Sequence, residues 1–416
     1  MLTRKALVLA AGLVVLGNSI THAADPAQPS QPYTSARPNL LEGPAAPAHR
    51  RPLMELLDRA GVAKPLEDAG INIYGHVEAG WTWNFDDPSS KLNPFRIFDF
   101  EHNEPILDQL DFTVERAVDY RKNKFDVGFK AEMMYGADAG IIHSNGLFDW
   151  YDGIRKPENQ WDLTQAYIDI TVPLGTGLRL RMGKFVNFVG YETINPTTGG
   201  IVDFYSRSLI FFNYPFTHTG IIGTYDITKD VTLTLGISRG DNQSTEDNND
   251  AISFLGSVNW VINNQWALYV SNSTGPERTD NNSDYRTTWD ATLFFTPSKE
   301  FTAAGNVYYV WEAGGAADGS DAQLYALALL GSYQLNEMLA LKGRVEWIHD
   351  GDNYRLGPIQ DIYEATVGLT IKPFPNDQWG QNVKIRPEAR WDHSPDNAFH
   401  GDKDQFTFGV DVVVTF

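Results

Sequence analysis

From Ile71 onward the chain alternates apolar and polar residues with a period of two. In INIYGHVEAGWTWNF, Ile71, Ile73, Val77, Ala79, Trp81, Trp83 and Phe85 share one face. Asn72, Tyr74, His76, Glu78, Thr82 and Asn84 share the other. This is the pattern of a strand with one oily and one wet side. It returns in KFDVGFKAEMMYG, where Phe125, Val127, Phe129, Ala131 and Met133 oppose Asp126, Lys130 and Glu132, and again in VTLTLGIS, TTWDATLFF, FTAAGNVYYVWE, LALKGRVEWIH, YEATVGLTIK and VKIRPEARWDH. Sixteen strands are predicted, over 71–85, 108–118, 123–136, 162–173, 177–187, 218–227, 231–239, 251–261, 265–273, 285–296, 301–312, 322–335, 338–349, 361–373, 381–393 and 405–416. Those at 108–118, 218–227 and 322–335 alternate least cleanly.

The connections alternate too. PLGTG, TKD, INN, TPSK, LNE and PFPNDQWG are short, whereas 86–107, 137–161, 188–217, 240–250, 274–284, 313–321, 350–360 and 394–404 are long. A soluble sandwich has no reason to keep its long loops at one end, but an outer-membrane barrel has tight inner turns and long outer loops. With odd strands rising, Trp83, Trp289, Trp311, Trp347, Trp391, Tyr325 and Tyr363 fall near the long-loop ends of the apolar face. Trp260, Trp266, Phe295, Phe301, Tyr333 and Phe416 fall near the short-turn ends. Two aromatic girdles result. The last segment, FTFGVDVVVTF, is an apolar strand whose free edge would template aggregation, unless it pairs with the first strand and closes a ring. The expected fold is all-β: a transmembrane antiparallel up-and-down β-barrel of about 16 strands over residues 71–416.

The remainder of the chain fits export. Arg4 and Lys5 precede an apolar run from Ala6 to Leu16, and Thr21 and Ala23 form a small-x-small cleavage site. Residues 1–23 read as a secretory signal peptide; the run is too short for the ~20 residues of a membrane anchor helix. Residues 24–52 read as a disordered Pro-rich linker, and 53–70 as a short periplasmic helical segment, a contact or a plug at a pore mouth, or simply a tether. The chain has no Cys, so exported stability cannot rest on disulfides. Its formal charge of −20 becomes −22 without the signal peptide, which excludes nucleic acid as a partner. Outer-membrane lipid is the expected surrounding.

A sixteen-stranded barrel is too wide for its side chains to fill, so an aqueous channel is the default. The polar face bears Glu78, Asp111, Glu115, Asp126, Lys130, Glu132, Asp169, Arg179, Arg181, Asp290, Lys342, Arg344, Glu346, Glu364, Lys384, Arg386, Glu388, Arg390, Asp392 and Asp411. On a lipid face each Lys or Arg would cost ~2–4 kcal/mol near the midplane. The longest loop, 188–217, is too apolar and aromatic to stand in water, and folded inward it would narrow the channel. It contains Glu192, Asp203 and Arg207. Arg179, Arg181 and Lys184 lie on the preceding strand, Lys342, Arg344 and Glu346 across the barrel, and Arg386, Glu388 and Arg390 on the penultimate strand. These twelve residues are the expected constriction set. Opposed charges there would select ions by sign, or would hold the loop in place through salt bridges.

The stretches RMGKFVNFVGYE, DFYSRSLIFFNYPFTHTG and KIRPEARWDH, with the terminal FTFGVDVVVTF, resemble the putative beta-barrel porin-2 (OmpL-like) family of outer-membrane porins. The resemblance spans most of 71–416. It implies a passive porin for small hydrophilic solutes and ions, located in the bacterial outer membrane, with an inward-folded third outer loop. The helical segment followed by GINIYG is also similar to carbohydrate-selective porins, which keeps sugars among the solutes. The terminal strand with Phe416 resembles the signal read by barrel-assembly machinery, and general porins are often homotrimers. A barrel enzyme and a plugged structural barrel are the alternatives. GISRG (Gly236 to Gly240) fits G-x-S-x-G, but an acidic loop, not a helix, follows it. His393 and His400 lack carboxylates in metal-binding register. Asp350, Asp352 and Asn353, or Asp318 and Asp321, could hold Ca²⁺ at a rim, but more simply belong to solvated loops. No catalytic residues, cofactor or metal are expected.

Overall fold

The structure is a computed structural model, and it describes residues 50–149, 158–197 and 204–416. The predicted signal peptide and almost all of the linker lie outside those residues. Two short helices come first, α1 (Pro52–Arg59) and α2 (Ala63–Asp68). Sixteen strands follow: β1 (Asn72–Asn84), β2 (Pro105–Arg116), β3 (Asp126–Gly136), β4 (Gln160–Val172), β5 (Leu178–Val186), β6 (Thr217–Thr228), β7 (Val231–Ser238), β8 (Ser253–Val261), β9 (Trp266–Pro276), β10 (Tyr285–Phe295), β11 (Phe301–Glu312), β12 (Ala322–Gln334), β13 (Leu339–His349), β14 (Asp361–Ile371), β15 (Val383–His393) and β16 (Asp404–Thr415). Each pairs with its neighbours in sequence, and β1 pairs antiparallel with β16, closing the ring. Long outer connections L1 to L8 emerge from one end, and short turns join the strands at the other.

The alternation of the sequence becomes the two sides of this wall. Trp81, Trp83, Phe112, Ile168, Leu329, Val345, Val367 and Phe406 are exposed on the outside. Tyr74, His76, Glu78, Thr82 and Asn84 face inward. The aromatic girdles are built from cross-strand neighbours, the sheet unit of side-chain contact. Trp347 lies opposite Tyr363 and Trp391 opposite Phe406 at the long-loop end. At the other end Trp266 stacks on Phe295 with ring centroids 4.3 Å apart, and Phe301 lies opposite Tyr333.

Two of the irregular segments now have a cause. Between β1 and β2 the register jumps from Glu78↔Gln109 to Ala79↔Leu107, leaving Asp108 as an extra residue. This is a β-bulge, and it turns both Asp108 and Gln109 inward. A second bulge between β3 and β4 does the same for Thr164 and Gln165. β12 is irregular because both its faces are apolar: Ala322, Leu324, Ala326, Ala328 and Leu330 point into the barrel and are buried. The inner face is therefore not polar all round, as the alternation implied. One arc of it is an apolar seat.

The helices pack at the short-turn end. Pro52 sits in the first turn of α1, where its missing N–H costs nothing. Met54 is buried, and its sulfur accepts from Ile73 N at 3.4 Å. The Arg51 guanidinium lies 3.4 Å over the Tyr74 ring, Arg50 pairs with Asp58 and Glu67, and Arg116 Nε donates to Ala69 O at 3.0 Å. The sequence reads 53–70 as one short helical segment, which the structure divides into α1 and α2.

Candidate functional site: the lumen and its crossing loop

L3, between β5 and β6, crosses the inside of the barrel and touches every quarter of its wall. Near its start, Phe188 O accepts from Tyr269 Oη of β9 at 2.6 Å, and Gly190 N donates to Ser271 Oγ at 3.0 Å. The chain then reaches β2, where Gln109 Nε2 donates to Ile194 O at 3.1 Å, and β15, where Lys384 Nζ donates to Pro196 O at 3.0 Å. After the undescribed residues 198–203 it runs along β13–β16. Finally Tyr214 Oη donates to Asp290 of β10 at 2.6 Å, and Tyr308 of β11 donates to Asn213 O at 2.9 Å. Phe204, Leu209, Ile210, Phe211, Tyr214 and Phe216 join Tyr269, Tyr308, Leu324 and Leu330 in one buried apolar cluster. That cluster fills the apolar arc. L1 closes over it, with Phe98 5.6 Å from Phe211 and Phe95 6.1 Å from Phe399, ring to ring.

Along β13–β16 the loop is held by charge. Glu388 accepts from Tyr205 N and Ser206 N, both at 3.0 Å. Arg344 donates to Ser206 O at 2.9 Å while pairing with Glu346 and Glu364 at 3.3 and 3.2 Å. Arg390 donates to Arg207 O at 2.8 Å and pairs with Asp392. Arg386 donates to Phe204 O at 2.9 Å and pairs with Glu78 and Asp411. Glu346 accepts from Leu209 N at 2.9 Å. From L1, Arg96 bridges Asp99, Asp392 and Thr407. Such charge-assisted bonds, buried and reciprocal, fix a geometry.

Beside this latch, across the β1–β16 seam, stands an acidic wall. Glu78, Asp108, Asp111 and Glu132, from β1–β3, and Asp138, from L2, are all buried. Gln109 joins them, donating to Asp138 at 2.7 Å and standing 3.0 Å from His76 Nε2. Lys130 pairs with Glu132 at 2.6 Å. Burial, then the neighbouring Glu78 charge, push the Asp138 carboxyl well above its ordinary range.

The predicted set divides. Arg207, Arg344, Glu346, Arg386, Glu388 and Arg390 are brought together around L3. Glu192 belongs to the same loop and accepts from Ser208 N at 3.2 Å. Lys342 Nζ lies 4.9 Å over the Phe204 ring. Arg179, Arg181 and Lys184 form a separate group on the β4–β6 wall. Arg181 pairs with Asp169 at 2.9 Å and stacks on Tyr167, Lys184 pairs with Asp162 at 3.2 Å, and Arg179 reaches Thr224 at 3.3 Å. Asp203 lies outside the described residues. Arg96, Asp99, Asp108, Gln109 and Asp138 were missed; they arrive through loops and a bulge, where periodicity gives no signal.

The remaining motifs have local partners. Ser238 Oγ of GISRG accepts from Gly240 N at 3.3 Å, and both nitrogens of nearby His218 face acceptors, Gly240 O and Asn187 Oδ1. Asp350 accepts three loop amides, from Tyr354, Arg355 and Leu356. His393 pairs with Asp404, and His400 faces Leu92 O at 2.9 Å.

A closed sixteen-stranded ring with long loops on one side and a third loop crossing its lumen is the architecture of a porin, and a family model matches residues 70–416. The chain belongs to the putative beta-barrel porin-2 (OmpL-like) family. This porin is an outer-membrane channel through which small hydrophilic solutes diffuse passively. No curated relative matches it by sequence. Solved structures share its fold at low identity. The outer-membrane channel DcaP of Acinetobacter baumannii is 12% identical, with a TM-score of 0.54 over 83% of this chain and 97% of that one. An anion-selective porin from Comamonas acidovorans is 11% identical, with a TM-score of 0.55 over 83% and 99%. OprB of Pseudomonas putida is 14% identical, with a TM-score of 0.55 over 86% and 97%.

Proposed function

We propose that L3 is the eyelet of this porin, and that the latch on β13–β16 and the acidic wall on β1–β3 set its size and field. One observation carries the reading: L3 is bonded to β2, β9, β10, β11, β13 and β15, so everything that passes must pass beside it. Arg344, Glu346, Arg386, Glu388 and Arg390 then hold the loop first and shape the field second. Glu192, Arg207 and Lys342 belong to the eyelet itself, and Arg179, Arg181 and Lys184 line its approach. The two roles open to the inner charges, loop anchoring and ion selection, thus fall to different residues of one site.

We read the porin as a channel without catalysis: Ser238 Oγ accepts from Gly240 N, and among the described residues no hydrogen bond joins it to His218. Its partners are small hydrophilic solutes, lipid, and the barrel-assembly machinery that reads the strand ending in Phe416. A homotrimer is the form general porins often take. Single-channel recording of the refolded protein in a planar bilayer tests the core of this reading. Stable conductance steps are expected. A barrel folded by heat-modifiable gel mobility yet silent would overturn it.

A further inference from the structure

We infer that the lipid face of β12–β16 binds one glycolipid of the outer leaflet, its sugar headgroup on two histidine–aspartate clasps and its acyl chain in the groove below them. The inference goes beyond the channel reading and does not depend on it. The clasps are one constellation built twice. On β13–β14, Trp347 Nε1 and His349 Nδ1 both meet Asp361 Oδ1, at 2.8 and 3.0 Å. On β15–β16, Trp391 Nε1 and His393 Nδ1 both meet Asp404 Oδ1, each at 2.9 Å. In each clasp the histidine stands opposite the aspartate in the ladder, and the tryptophan lies two residues nearer the membrane centre. Tyr363 joins the two, opposite Trp347 on one side and His393 on the other. The histidine and aspartate side chains are between 25% and 48% exposed. A carboxylate oxygen only accepts, so each imidazole donates through Nδ1, and Nε2 of the neutral ring is left as an acceptor. Among the described residues neither that Nε2 nor the second aspartate oxygen, Oδ2, has a hydrogen-bond partner.

Below the clasps the wall is hollowed. A groove of 480 Å³ opens outward along the row in which Leu329, Val345, Ala365, Trp391 and Phe406 are successive cross-strand neighbours. Its volume lies within the ~300–1,000 Å³ of small-molecule sites. Gly343, Ala365 and Ala389 form its floor. Nothing in the barrel requires the glycine: a Cβ there would meet no atom nearer than Thr366 O at 4.0 Å. The space is left for something outside the chain. Leu329, Val345 and Val367 beside it are all more than half exposed, and on the outer face of a membrane barrel the apolar filling for such a groove is an acyl chain. The headgroup at the end of that chain must answer the clasps, which present acceptors. The loop charges nearby, Asp352, Asp396, Asp402 and Lys403, are negative in sum. A phosphate would bring like charge against them. Sugar hydroxyls bring donors, and the exposed rings of Tyr363 and Trp391 offer apolar faces beside polar ends. Among the described residues no third ligand joins either histidine–aspartate pair, so the clasps are not metal centres.

The test is native mass spectrometry of the refolded full chain in detergent, offered a glucosyl diacylglycerol and a phosphatidylglycerol with the same acyl chains. The wild type should retain one glucosyl lipid per barrel, several-fold more often than the phosphatidylglycerol. Gly343→Leu with Ala365→Leu fills the groove and should lower that retention several-fold. Ala291→Leu, on the lipid face of β10, is the control and should leave it near wild type. His349→Phe with His393→Phe keeps the groove and two aromatic rings but removes both acceptors, and should bring the two lipids to equal retention. That pair of variants decides the matter if the filled groove does not refold. Equal retention of the two lipids by the wild type, or a preference for phosphatidylglycerol, overturns the inference, as does an equal loss in groove and control variants. A barrel that carries no lipid but forms oligomers that Gly343→Leu breaks apart would give the face to a second copy of the chain, and overturns it too. Conductance has no part in this readout, so failure here and failure of the channel reading are told apart.

Discussion

Two glycines decide where the crossing loop can rest. On β1, a Cβ at Gly80 would stand 2.3 Å from the Tyr205 phenol, and on β16 a Cβ at Gly409 would stand 3.2 Å from the same ring. Real Cβ atoms essentially never come as close as 2.3 Å and seldom reach 3.2 Å, so the bare backbone is a slot for Tyr205. Gly80→Val should expel the ring, break its bond to Asp108 and loosen L3. Larger and noisier single-channel currents from a normally folded barrel are expected; currents like wild type would show that the ring does not govern the opening. In the sequence Gly80 was only one step in an alternation, because a slot is defined by what enters it. Arg179 and Arg181 teach the same lesson. Spacing gave their face correctly but not their partners, and the structure pairs Arg181 with Asp169 rather than with the loop. Glu277, just past β9, is a titrating residue outside the membrane wall. Its Oε2 accepts from Asp241 N at 2.7 Å, and burial, with the Asp241 charge, pushes it up to about 8. An acid whose folded pKa is raised stays protonated when the opened loop has already ionised. The packing of L4 and L5 should then lose stability as pH rises between about 4.5 and 8. Proteolysis of residues 239–252 should quicken across that window, and Glu277→Gln should flatten the dependence.

At the scale of elements, the strands were the most legible part of the chain and the loop's path the least. Alternation located all sixteen strands with ends within about three residues, because a wall between lipid and lumen leaves its period in every segment. β2 and β12 departed from it for physical reasons, a bulge in one and an apolar seat in the other. The composition of L3 announced that it folds inward, yet nothing in it showed which strands would hold it. Glu388 is the clearest test of that hold. Glu388→Ala removes the acceptor of Tyr205 N and Ser206 N, and each buried amide left unpaired costs ~1–3 kcal/mol. L3 should become sensitive to protease and the current should flicker, while heat-modifiable mobility stays unchanged because no β-ladder bond is touched. Glu388→Gln, which keeps one acceptor oxygen, should fall between. Equal protease resistance in all three proteins would mean that the apolar cluster alone holds the loop.

For the whole molecule, closure is the decisive property, and it rests on the pairing of β1 with β16. The ladder runs from Asn84↔Thr407 to His76↔Thr415, and Phe416 extends it: Phe416 N donates to Gly75 O at 2.9 Å, and Gly75 N to Phe416 O at 3.0 Å. The Phe416 ring lies over Gly75, where a Cβ would come within 2.8 Å of it. The alternation of the last segment foretold this, since an apolar strand with a free edge would be a hazard. Removing Phe416 takes away two ladder bonds, worth ~0.5–1.5 kcal/mol each, from a ring whose other pairings remain. Refolding into detergent or lipid should therefore survive the deletion with a modest loss of thermal stability. If assembly machinery reads the terminal residue, the amount reaching the outer membrane in cells should fall far more than that loss accounts for. Phe416→Tyr separates the two contributions, because it keeps both backbone bonds and most of the ring's apolar area. Its refolded stability should match wild type, so any deficit confined to cells belongs to recognition. A deletion that lowers cellular and refolded barrels in the same proportion would assign Phe416 to closure alone.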